Sequence, residues 1–279
     1  MNNFEKGLYI VSTPIGNLKD ITFRAVEILK NSDFILCEDT RHSAKLLNIF
    51  NIKNKLIPYH KFNEKKSVSK IIQYLNEGKI LSLISDAGTP LLSDPGRTLI
   101  NKCLENKIEV IPIPGVSSIT SAISISGFRD QFLFYGFLPK TEMELNKVLG
   151  ILSNNNFSQI FFIPALKVNF FLKKFKYFYK DRKILIAKEI TKLHETFYRS
   201  DINNLKLFKS TLKGELTIVI SEKNNKDKVF DKEKIKNKAV KFLKKYSLRD
   251  TVDMIVETEK VNKKEVYRLC LEIKNEKIN

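Results

Sequence analysis

The segment ILSLISDAGTPLLSDPG, residues 80–96, runs from an aliphatic stretch straight into a loop of glycine, proline, small hydroxyls and two carboxylates. A second segment, IEVIPIPGVSSITSAIS at 108–124, follows the same grammar: an aliphatic run, a Pro/Gly break, then a helix-like stretch. Short apolar runs bounded by turn signals read as buried strands, and in an open α/β sheet ligands bind beyond the carboxyl ends of the strands. The strands at 80–84 and 108–111 are expected to be neighbours whose loops share one crevice.

Working outward, residues 1–125 alternate strands (8–12, 33–37, 56–59, 80–85, 108–111) with helices (20–30, 42–50, 64–77, 95–106, 116–126). Ile21, Ala25, Ile28 and Leu29 share one helical face, as do Val68, Ile71, Ile72 and Leu75. Such alternation predicts a parallel sheet with right-handed crossovers. From Gly127 to about Pro139 the chain reads as a connection. A second α/β unit follows, with helices at 141–152 and 166–178 and strands at 159–163, 183–187 and 215–221. The charged, Asn-rich stretch 222–228 reads as a linker. Residues 231–279 read as three short amphipathic helices, helix-turn-helix-like with a turn near 260–262. The expected division is 1–125, 126–225 and 229–279: two α/β domains with a small C-terminal helical segment.

At 279 residues, 43% hydrophobic and 29% charged, the chain belongs with globular proteins that bury a real core. The opening MNNFEKGLYIVSTP has no basic region followed by a signal-type apolar run, so no export signal is expected. No apolar stretch is long enough to span a bilayer. Cys37, Cys103 and Cys270 lie far apart, which speaks against a zinc site or disulfide framework and fits the cytoplasm. The net charge of +18 rests on lysine far more than arginine, so A+T-driven codon usage accounts for most of its size. Its sign still points to an RNA partner.

Four strand-end motifs carry chemistry. TPIGNL at 13–18 lacks GxGxxG or Walker spacing, so a nucleotide-phosphate loop is disfavoured and Pro14 and Gly16 read first as a tight turn. In SDAGTPLLSDPG, Ser93 or Asp94 can cap the next helix with Pro95 at its first position, which leaves Asp86, Ala87, Gly88 and Thr89 for a ligand. In PGVSS, Ser117 and Ser118 offer hydroxyls and amides at a helix start, or simply cap it. CEDTRHS at 37–43 crowds Glu38, Asp39, Arg41 and His42 at another strand end.

These strings, with LYIVSTPIGNLKDIT (8–22), GFLPK (136–140), TKLHETFYR (191–199) and KGEL (213–216), resemble the bacterial small-subunit ribosomal RNA 2′-O-methyltransferases of the tetrapyrrole methylase superfamily. The resemblance runs in order along nearly the whole chain. It implies two α/β domains with S-adenosyl-L-methionine in the cleft between them, a homodimer, and 16S rRNA of the 30S subunit as substrate, with no metal. Carried over by motif, the cofactor site would include Pro14, Gly16, Asp86 to Thr89, Ser117 and Ser118. Asp39, Glu38 and His42 are candidates to accept the proton of a ribose 2′-hydroxyl, and Arg41 and Lys192 to clamp phosphate. The chain also departs from the pattern. Where the family typically shows Glu-Ser-x-His-Arg it reads Ile163-Pro164-Ala165-Leu166-Lys167, and Arg-Glu-Leu-Thr-Lys appears as Lys188-Glu189-Ile190-Thr191-Lys192. Two rival readings follow: a porphyrinoid C-methyltransferase of the same superfamily, and an RNA-binding or ribosome-assembly protein that has lost catalysis.

Overall fold

Five short strands, β1 (Gly7–Val11), β2 (Phe34–Cys37), β3 (Lys55–Pro58), β4 (Ile80–Leu83) and β5 (Val110–Ile113), pair in parallel in the order β3-β2-β4-β1-β5. The structure, a computed structural model, describes residues 4–223, 232–259 and 261–276. Successive strand residues point to opposite faces, and both faces are covered. On one, Leu8, Leu36, Leu81 and Leu83 pack with Val68, Ile71, Ile72 and Leu75 of α3 (Glu64–Asn76) and with Leu99 and Cys103 of α4 (Arg97–Glu105). On the other, Tyr9, Val11, Ile35 and Cys37 meet Ala25, Ile28 and Leu29 of α1 (Phe23–Asn31) and Leu47 of α2 (Thr40–Ile49).

The strands ending in the two signature loops are not neighbours, contrary to the sequence expectation. β1 lies between β4 and β5. This strand is buried along almost its whole length, which suits the centre of a sheet and not its edge. β5 falls at the edge instead, where Pro112 can occupy a strand position without costing a ladder bond on its free side.

A second sheet has the order β6-β7-β10-β8-β9, from β6 (Phe132–Phe137), β7 (Ser158–Pro164), β8 (Lys183–Lys188), β9 (Thr196–Asp201) and β10 (Glu215–Ile220). Only β6 and β7 pair in parallel; the other pairs are antiparallel. The expected connection at 127–139 therefore contains an edge strand, β6, hidden in the sequence by its flanking turn residues and by Gly136. The opposite edge strand, β9, is half exposed and shows no clean apolar alternation. One face of this sheet is covered by α6 (Glu142–Leu152) and α7 (Val168–Phe178), with Leu145, Leu149, Phe171 and Phe175 packed on Phe161, Ile186 and Ile218. Its other face receives α5 (Ser118–Ser124) from the first half: Ile119 and Ala122 pack on Ile160, Leu185, Ala187 and Val219. That wedge joins both sheets in one compact unit, residues 1–223.

Residues 224–279 form a second compact unit. Helices α8 (Lys232–Phe242), α9 (Leu248–Glu259) and α10 (Lys263–Glu276) share a core of Ile235, Ala239, Val252, Ile255, Val266, Leu269 and Ile273. At the α9 start the Ser247 hydroxyl accepts from Asp250 N at 3.2 Å, as a helix cap does, and donates to the Asp250 carboxylate at 2.7 Å. Residues 224–228 of the expected linker, Asp231, Lys260 of the expected turn and 277–279 lie outside the described residues. No helix among the described residues is long and apolar enough to cross a membrane.

Candidate functional site

Hydrogen bonds stitch the strand-end loops together. Thr13 and Gly88 exchange backbone bonds of 2.9 and 3.0 Å, so the first two loops form a short antiparallel bridge. The Thr13 hydroxyl donates to Ser85 O at 3.1 Å, and the Ser12 and Thr89 hydroxyls lie 3.0 Å apart. Thr89 in turn donates to Val116 O in the third loop at 3.2 Å. The fourth motif is tied in through Asp86, whose Oδ1 accepts from Asp39 N at 3.3 Å. β1, lying between β4 and β5, makes this possible, because its loop reaches the loops on both sides.

Beside these loops lies a cavity of about 540 Å³, bounded by the first-half loops on one side and the second sheet on the other. Asp86, Ala87, Gly88, Thr89, Ser117, Ser118 and Glu38 line it, and Lys192 lines it from the connection between β8 and β9. From TPIGNL it is Ile15 that faces the cavity, with Pro14 and Gly16 to either side. Gly16 lies against Lys192: a Cβ there would sit 2.3 Å from the lysine Cγ, so no larger residue fits unless the lysine moves. Ser117 occupies the cap position of α5 but makes no side-chain cap bond.

Asp39, Arg41 and His42 stand outside the lining. The Asp39 carboxylate caps α2, accepting from Arg41 N at 2.8 Å and His42 N at 3.3 Å, and these bonds hold its pKa below the ordinary aspartate range. The Arg41 side chain is 91% exposed and only loosely paired with Asp39, at 3.8 Å.

Sequence reasoning passed over Asp94 as a helix cap. In the structure Gly96 takes that position, and the backbone at Leu91 and Ser93 has φ of 72° and 77°. This winding leaves Asp94 facing the cavity with Glu38 and Asp86. Burial, helped by repulsion from Glu38 and Asp86 and opposed by a hydrogen bond with Ser85, pushes its pKa up to about 6. The only sequence signal was a second carboxylate in the 85–96 string. The ring of Phe137 and the apolar side chains of Ile163 and Pro164 were also passed over as lining residues.

The charge of the lining defines what it can hold. Glu38, Asp86, Asp94, Glu189 and Glu215 all line the cavity. Among the described lining residues the one cation is Lys192, whose Nζ lies 3.0 Å from both Glu189 and Glu215. Burial would lower the lysine pKa, but the two carboxylates outweigh it and raise it. A phosphate-bearing ligand would meet unpaired carboxylates here, whereas a cationic ligand without phosphates meets complementary charge. An S-adenosylmethionine-like molecule, with its sulfonium and ammonium groups, fits that lining. No group of three or more His, Cys, Asp or Glu side chains suited to a metal occurs among the described residues.

The family profile described as Tetrapyrrole (Corrin/Porphyrin) Methylases matches residues 7–206. Proteins named ribosomal RNA small subunit methyltransferase I are similar along most of their length. The one from Mesomycoplasma conjunctivae is 46% identical over 79% of this chain and 93% of its own. For Thermotoga maritima the figures are 41%, 77% and 98%, and for Buchnera aphidicola 38%, 97% and 99%. Among solved structures, the methyltransferase CobJ superposes with a TM-score of 0.58 at 15% identity, covering 77% of this chain and 94% of that one. The Thermus thermophilus uroporphyrin-III C-methyltransferase complexed with S-adenosyl homocysteine gives 0.55 at 14%, covering 77% and 97%. At such identities the likeness speaks for the fold alone. By its profile match and its relatives, the chain belongs to the tetrapyrrole (corrin/porphyrin) methylase family.

Proposed function

We propose that this chain is an S-adenosylmethionine-dependent methyltransferase of small-subunit ribosomal RNA, acting on the 2′-hydroxyl of a cytidine ribose in 16S rRNA. The observation that carries the reading is the 46% identity, over 93% of its length, to a relative named ribosomal RNA small subunit methyltransferase I. The uroporphyrin-III C-methyltransferase structures are similar at only 13–16% identity, so they support the shared fold and not a porphyrinoid acceptor.

The bound donor supplies a methyl group already activated on a sulfonium, so the chain's own residues contribute position, charge and proton acceptance. Asp86, Ala87, Gly88, Thr89, Ser117 and Ser118 would hold it, with Pro14 and Gly16 shaping the loop behind. A ribose hydroxyl is a poor nucleophile near neutral pH and gains from a positioned acceptor. Asp39 is committed to its helix cap and His42 lies outside the cavity lining, whereas Glu38 and Asp94 face the cavity. Asp94 takes the proton in this scheme, because it is ionised at pH 7 yet more basic than an ordinary aspartate. Arg41, exposed beside the capped helix, is the phosphate contact; Lys192, shared between two glutamates, holds the wall of the cavity. Cytoplasmic 30S subunits are the partner, and a homodimer is the working assembly, to be checked by light scattering at about twice the 32.3 kDa chain mass.

The test is a map of 2′-O-methyls in 16S rRNA with and without the gene. Loss of one cytidine methyl supports the proposal, and an unchanged map defeats it. Calorimetry on the purified chain should show S-adenosylmethionine binding that Asp86→Ala abolishes; unchanged affinity would remove Asp86 from the donor site.

A further inference from the structure

Strand β6 carries an irregularity with a consequence for the cavity. Its residues Phe134 and Phe137 lie opposite Ile160 and Phe162 of β7, while the register slips by one at Tyr135. Ile160 and Phe162 are two apart and share a face, so Phe134 and Phe137, three apart, share that face too. Without the extra residue Phe137 would point to the side covered by α6 and α7, where Leu138 is now buried. Bulges of this kind re-aim side chains next to functional sites.

The bulge is built for close approach. Gly136 has φ of +83°, and a Cβ there would lie 2.9 Å from the hydroxyl of Ser93, the residue before Asp94. The redirected Phe137 ring lines the cavity, yet it is 60% exposed. It is steadied from below by Phe162, edge-on at 5.4 Å between centroids, which Phe134 in turn braces at 5.0 Å. A large apolar ring thus stays mostly exposed in the same lining that carries the carboxylates.

We propose that Phe137 is the platform on which the base of the target nucleotide stacks after leaving its own strand, so that its ribose is presented to the cavity. The chemistry fits an unstacked RNA base, because proteins read single-stranded RNA by splaying bases onto aromatic rings. The inference rests on the proposed rRNA methyltransferase activity and adds the residue that positions the acceptor.

The full-length protein, assayed on 30S subunits, decides it. Phe137→Ala and Phe137→Leu should each raise KM for 30S by roughly tenfold or more, within the range that loss of one base–aromatic stack produces. Equilibrium binding of 30S in the presence of S-adenosylhomocysteine should weaken in parallel. Phe137→Tyr should restore both, and the calorimetric affinity for S-adenosylmethionine should stay within about twofold of wild type in all three variants, which also shows that they fold. Unchanged KM in Phe137→Ala, full function in Phe137→Leu, or a loss of donor affinity matching the loss of RNA affinity would each overturn the stacking role. A wild-type protein that binds the donor but methylates no 30S RNA overturns the functional reading, and the platform falls with it.

Discussion

At the scale of single residues, Asp94 is held where its charge is unfavourable. Its carboxyl keeps a proton up to about pH 6 in the fold, against about 4 in an unfolded chain. The folded state therefore binds this proton more tightly, and the stability it contributes is complete at low pH and is lost as pH rises from 4 to 6. Asp94→Asn removes that loss. Its Tm advantage over wild type should be near zero at pH 4 and present at pH 7, measured by thermal scans at both. Turnover on 30S should fall by about two orders of magnitude or more, the usual effect of losing a proton acceptor. The wild-type rate should climb with pH through about 6. A variant that gains no stability at pH 7 contradicts the buried repulsion, and one that keeps full rate contradicts the proton-acceptor role. The string 85–96 displayed Asp94 openly, but its winding through positive φ at Leu91 and Ser93 was not legible, because tertiary contacts and not local preference hold non-glycine residues there.

Among the elements, the second sheet depends on a buried cation. Arg182 is 2% exposed and precedes β8. Its guanidinium donates to the carbonyls of Ser221 at 3.0 Å, Ser153 at 2.8 Å and Asn155 at 2.6 Å, and lies over the Tyr179 ring at 5.0 Å. One planar fork thus fastens the ends of β10 and α6. Arg182→Ala would strand buried carbonyls and cost about 3 kcal/mol or more. The expected readout is a lower urea midpoint with an unchanged slope. Arg182→Lys should recover little, since a single ammonium cannot span three acceptors in that plane. The amphipathic helices and central strands were visible in the sequence through their periodicity. The edge strands β6 and β9 were not, because partly solvated edges carry mixed residues and β6 is bulged.

For the whole molecule, the unit 1–223 has complete cores of its own, and the T. maritima relative is matched over 98% of its length by only 77% of this chain. A protein ending at Lys223 is therefore expected to fold and to bind S-adenosylmethionine within about twofold of the full chain. The lysine-rich helical unit should act on RNA instead: its removal should weaken 30S binding and flatten the dependence on salt, which counts phosphate contacts. Truncated protein that loses donor affinity would show that the helical unit supports the cavity. The alternation of apolar runs with helical faces, the strand-end loops and the absence of phosphate-loop spacing were determined by sequence alone, because each is a property of neighbours along the chain. Only the tertiary structure decided that β1 separates the two signature strands, that the Asp39 carboxylate caps a helix while Asp94 faces the cavity, and that a bulge turns Phe137 to the cavity. Those outcomes depend on which distant segments share a core and hydrogen bonds, a long-range choice that local patterning does not encode.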